Sequence, residues 1–155
     1  ANETFISSTM WTEQIGFVAA NATLEFLKKH KINKNNIQIG LKIKEIWKKA
    51  AIKNNLDITV GGIDTLPSFK FNYANQNEIL TFMTREMLKY KILANNAPAV
   101  TMSYTFKKLK TYETAINEVF KKISTYINKN KKIPLSKKDI RLSNFGRLTG
   151  WSISN

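Results

Sequence analysis

With 155 residues, 43% hydrophobic and 11% aromatic, the chain has the size and composition of one globular domain rather than of a disordered segment. It has no cysteine and a single histidine, His30, which excludes a disulfide framework, thiolate metal sites and any multi-histidine metal cage. The net charge of +14 admits a basic nucleic-acid-binding module as a rival class. Only three of the 25 basic residues are arginine, however, and arginine forks carry specific phosphate and base recognition. Lys, Asn and Ile make up 57 of the 155 residues, a bias that A/T-rich codons produce on their own. Nucleic acid is therefore not the expected partner. No apolar run approaches the roughly 18 residues of a membrane span, so a soluble, cytoplasmic protein is the expectation.

In chain order, the first predicted element is a helix from about Thr12 to His30. Thr12 suits the N-cap, Glu13 the positive helix end, and Lys28, Lys29 and His30 the negative end. Ile15, Val18, Ala19, Ala22, Phe26 and Leu27 recur at helical spacing, and this face is expected to meet something large. In NIQIGLKIKEIW, Ile37, Ile39, Leu41 and Ile43 alternate as in a strand. Ile39, Ile43, Ile46, Trp47 and Ala50 fit a helix equally well. Length decides for a helix of about 18 residues, because strands seldom run so far.

DITVGG and LPSFKFN read as two short strands punctuated by Gly61-Gly62 and Pro67, with Phe69 and Phe71 on one face. A helix follows from about Asn75 to Tyr90. Asn75 and Glu78 are spaced as a capping box, and Ile79, Met83 and Met87 form one stripe. Ile92 to Ala94 and Ala99 to Tyr104 read as further short strands. Tyr112, Ile116, Val119, Phe120, Ile123 and Ile127 then mark the clearest amphipathic helix. Asn128 to Lys132 is polar, and Pro134 to Asn155 is a mixed segment containing Phe145, Leu148 and Trp151. This order predicts an α+β fold, a small antiparallel sheet with helices on one side.

The segment TFISSTMWTEQIG carries the most suggestive chemistry. A phosphate dianion is well held by backbone N–H groups and hydroxyls where a helix begins, because that end has unpaired donors and a positive partial charge. Ser7, Ser8 and Thr9 precede such an end, although hydroxyl residues there are more often plain helix caps. Three stretches together resemble the class III aminotransferases, the pyridoxal-phosphate enzymes that include glutamate-1-semialdehyde aminomutase. TFISSTMWTEQIGFVAANATLEFL is similar to the loop and helix that follow the family's catalytic lysine. LPSFKFNYANQNEILTFMTREMLKYKILA is similar to its strand, helix and short strand, and VTMSYTFKKLKTYETAINEVFKKI to its last strand and long helix. NFGRLTG resembles a terminal motif of one branch. The stretches run in the family's order over most of the chain.

The resemblance implies the C-terminal portion of a fold-type I pyridoxal-phosphate transferase. It implies that residues 1–33 end the large cofactor domain and that 34–155 form the small C-terminal domain. Thr9 then binds the phosphate of pyridoxal 5'-phosphate across a homodimer interface, with Ser8 beside it where many members have glycine. The lysine that carries the cofactor falls upstream of residue 1, so the chain alone is expected to be inactive toward its small-molecule amino substrate. Two departures from the family pattern stand out. Trp11, Thr12, Glu13 and Gln14 replace the usual Ser-Gly-Asn-Pro that follows the threonine. Thr105 and Phe106 stand where many members have a histidine.

Other candidates have simpler readings. Asp57 and Asp64, flanking a Gly61-Gly62 turn, are turn and strand-end residues rather than an acid–base pair. Gly61-Gly62 lacks a phosphate-loop pattern. The Met83 and Met87 stripe, Trp47 and Trp151 are packing residues, and Asn95 to Pro98 is a loop. A purely structural or assembly domain would account for the core but not for the collinear resemblance.

Overall fold

The computed structural model of the chain describes residues 13–141, and the chain divides between Asn35 and Asn36 into two compact units. Its elements are α1 (Ile15–Lys29), α2 (Ile32–Lys53), β1 (Ile58–Ile63), β2 (Leu66–Phe71), α3 (Gln76–Leu88) and α4 (Phe106–Asn128), followed by a 3₁₀ turn at Lys137–Asp139. The fold is α+β, as the sequence predicts.

In α1, Lys28 and Lys29 occupy the last turn as expected. The helix begins at Ile15 with Gln14 at its cap position, and Gln14 makes no side-chain capping bond. Thr12, the expected cap, lies outside the described residues. No residue of α1 is buried, and Ile15, Phe17, Val18, Leu24 and Phe26 are all exposed.

The ambiguous isoleucine-rich segment is helix throughout, 22 residues long. Ile39, Ile43, Ile46, Trp47 and Ala50 are buried, whereas Ile37 and Leu41 remain exposed. The helical period therefore identifies the core face, and the alternation only broadens the apolar surface.

β1 and β2 form one antiparallel hairpin in the register Ile58↔Phe71 through Ile63↔Leu66. The turn is Asp64-Thr65, and Gly61 and Gly62 sit inside β1, paired with Ser68 and Pro67. Gly62 adopts φ 75°, and a Cβ there would lie 2.3 Å from the Leu66 carbonyl oxygen. Glycine is required by this close approach rather than by the turn.

On β2, Phe69 and Phe71 point into the core as predicted. Trp47 of α2 meets Phe69 at 4.6 Å between ring centroids, and Phe120 of α4 meets Phe71 at 5.5 Å. The helices thus cover one face of the hairpin around an aromatic cluster. Burial of each such ring contributes on the order of 1.5–3 kcal/mol. Ile79, Met83 and Met87 of α3 and Ile116, Val119 and Ile123 of α4 complete the core. Phe82 stacks edge-on against Tyr126 to join α3 to α4.

Two expectations fail. Asn75 and Glu78 do not form a capping box, because the Asn75 side chain makes no bond to the backbone of the first turn. Its amide instead reaches the Glu78 carboxylate at 3.5 Å. Residues 92–94 and 99–104 are not strands, and the sheet has two strands rather than four. The free edge of β2 is occupied by isolated bonds. Phe69 N–H donates to the Asn96 carbonyl, and Val100 N–H donates to that of Thr65. Pro98, which has no N–H, lies between these points, so no ladder propagates.

Candidate functional site

Ser8 and Thr9, together with Phe145, Leu148, Trp151 and the NFGRLTG motif, lie outside the described residues. The helix that follows the serine–threonine run has no side-chain cap and no acidic residue in its first turn. The start of a helix presents N–H donors of a kind that suits an anion.

In the second unit the chemistry gathers around the segment between α3 and α4. Asn96 substitutes for a third strand. Its carbonyl accepts from Phe69 N–H at 2.9 Å, and its side-chain amide donates to the Phe69 carbonyl at 2.9 Å. Arg141 in turn donates to the Asn96 side-chain oxygen at 3.3 Å. Thr84 Oγ1 donates to the Ala94 carbonyl, and Ala97 N–H to the Asn95 side chain. The loop is thereby fixed to β2 on one side and to α3 on the other.

The same segment and the first turns of α4 line a half-open cavity of about 570 Å³. Thr105 caps α4 by accepting from Lys108 N–H at 3.3 Å. The Lys108 ammonium donates to the Ser103 carbonyl at 2.9 Å. Deeper in the lining, Tyr112 accepts a hydrogen bond from Trp47 Nε1 at 2.7 Å. Burial raises the Tyr112 phenol far above its ordinary value, so it serves as a neutral packing group and not as a proton shuttle. Among the described residues, the cavity lining contains no carboxylate, imidazole or thiol. Such a site can bind but has no acid–base pair of its own.

The remaining candidates take structural roles. Asp57 Oδ1 accepts from the Asn72 amide at 2.7 Å, and the Asp57 N–H donates to the Tyr73 hydroxyl. Asp64 accepts from Lys44 Nζ, which also donates to the Gly62 carbonyl, both at 2.7 Å. This confirms the turn and strand-end reading of both aspartates. Among the described residues, no group of three or more acidic or histidine side chains could hold a metal ion. None of their helices is long and apolar enough to cross a membrane. Sequence reasoning found the Asn95 to Pro98 loop but missed Lys91, Ser103 and Lys108 as cavity residues. No spacing connects them, because they converge only once α4 packs beside the loop.

No family model matches the chain, and no curated protein is detectably similar to it. Among solved structures, the chain is similar to the FumI protein of Sphingopyxis sp. MTA144 in its PLP internal aldimine form. The TM-score is 0.69 at 13% sequence identity, over 82% of this chain and 31% of that one. The chain thus spans about a third of the length of the protein it matches. At this identity the likeness is one of fold, and the fold is one found in a pyridoxal-phosphate protein.

Proposed function

We propose that the chain is the C-terminal part of a pyridoxal-phosphate-dependent class III aminotransferase or glutamate-1-semialdehyde-type aminomutase. The observation that carries this reading is the fold shared with FumI over 82% of the chain. The collinear family-like stretches described above support it independently. In this reading residues 1–33 end the large cofactor domain, and 34–155 form the small domain of a cytoplasmic homodimer acting on a small amino compound.

Bound pyridoxal phosphate supplies a carbonyl that accepts amines and a ring that withdraws electrons from them. The chain's own task is to hold the phosphate. Thr9 and Ser8 would hold it, and the start of α1 would add positive partial charge. The lysine that carries the cofactor lies upstream of residue 1, and the 155-residue chain alone turns over no amine.

The test is Thr9→Ala in the complete protein, read as the cofactor dissociation constant. Loss of a charge-assisted hydrogen bond weakens retention by about 1.5–3 kcal/mol, roughly 10- to 150-fold. An unchanged constant contradicts the phosphate role. Cofactor-dependent turnover by the isolated chain contradicts the position of the lysine.

A further inference from the structure

The cavity beside α4 is left unused by the cofactor reading, and it has the size and chemistry of a ligand site. Its volume of about 570 Å³ falls within the range of roughly 300–1,000 Å³ typical of small-molecule pockets. Ile92, Leu93 and Pro98 supply apolar wall over the buried Ile43 and Leu109, while Lys91 and Lys108 bring two cations to the lining. Neither lysine is ion-paired to a carboxylate among the described residues. Lys108 uses one of its three ammonium donors on the Ser103 carbonyl and keeps two. It also stands in the first turn of α4, where the helix end adds positive partial charge. All the fixed charge in the described lining is positive, and the apolar wall combines aliphatic side chains with the Tyr90 and Tyr104 rings.

We infer that this cavity binds an organic anion with an aliphatic body, its head group held by Lys91 and Lys108 and its chain packed on Ile92, Leu93 and Pro98. The occupant is matched by charge as well as by shape. A neutral molecule of the same length would leave both ammonium groups unanswered, and a small anion such as acetate would leave the wall bare.

Calorimetric titration of the complete protein with decanoate below its micellar concentration tests this, with decanol and acetate as comparison ligands. Decanoate is expected to bind saturably, and both decanol and acetate at least about tenfold more weakly. The double variant Lys91→Met and Lys108→Met, both sites being exposed, should weaken decanoate by about tenfold or more and leave decanol unchanged. Lys129→Met with Lys132→Met, a pair outside the lining, should have little effect. Ala99→Trp should obstruct the cavity without altering its charge and weaken decanoate and decanol alike. The inference is overturned by absence of saturable decanoate binding or by equal affinity for decanol. Equal weakening by the two lysine pairs would also overturn it, since attraction would then come from net charge alone.

Discussion

Gly40→Ala is a substitution for which local propensity and tertiary packing predict opposite signs. Gly40 lies inside α2, and there alanine is favoured over glycine by about 1 kcal/mol. Yet a Cβ at this position would stand 1.5 Å from the Asp64 carbonyl oxygen and 2.7 Å from its carbon. An ordinary carbon–oxygen contact needs about 3.3 Å, so the hairpin turn must retreat by about 2 Å. Backbone provides no flexible end to swing aside. Overpacking of this kind costs about 1–3 kcal/mol. The retreat also strains the bonds from Lys44 to the Gly62 carbonyl and to Asp64, adding about 1 kcal/mol for a neutral acceptor. Set against the propensity gain, the net loss is about 1–3 kcal/mol, or a fall in Tm of roughly 2–12 °C for a chain of this size. Thermal denaturation followed by circular dichroism reads the effect directly. Gly16→Ala in α1, where an added Cβ meets nothing within 4 Å, serves as the control and should show no loss. If Gly40→Ala is as stable as the parent, α2 does not pack against the hairpin turn as described.

Three further outcomes follow from buried and half-buried polar groups. Burial opposes ionisation of Glu86, but hydrogen bonds from Lys122 and Lys89 outweigh it and hold the carboxyl below its ordinary value. The stabilisation is therefore present above the unfolded-state value and lost as pH falls through the lower folded-state value. Glu86→Gln should cost about 1.5–3 kcal/mol at neutral pH in urea denaturation. The gap from the parent should narrow in acid, and a gap independent of pH would refute the ionic tie between α3 and α4. Tyr112→Phe leaves the buried Trp47 Nε1 without its acceptor and should cost about 1–3 kcal/mol. Spectrophotometric titration of the parent should show one tyrosine resisting ionisation until the fold is lost. Asn96→Ala removes the side-chain bond to the Phe69 carbonyl and should cost about 1 kcal/mol. Hydrogen exchange should then show faster opening of the Phe69 amide, and unchanged protection would contradict the clamp.

The helices were legible because burial enforces a period. Ile39, Ile43 and Ile46 in α2 and Ile116, Val119 and Ile123 in α4 recur as one face, and that face forms the core. Phe69 and Phe71 were legible for the same reason, with a period of two. Features that depend on a single tertiary partner were not. Nothing local distinguishes a glycine pair in a turn from one inside β1 that clears the Leu66 carbonyl. The short apolar pieces at 92–94 and 99–104 have strand composition. Asn96 occupies the Phe69 backbone with its own side chain, and Pro98 cannot donate. The cavity was invisible because its lysines and its wall come from separate elements. The apolar residues of α1 were read correctly as periodic, but no residue of that helix is buried among the described residues.

The proposed function requires a cofactor-bearing lysine outside this chain, upstream of Ala1. The most direct measurement is borohydride fixation of cofactor in the product of the complete reading frame, followed by peptide mapping. One labelled lysine upstream of Ala1 is the expected result. Failure to retain any cofactor, or a label on one of the 22 lysines within this chain, would contradict it.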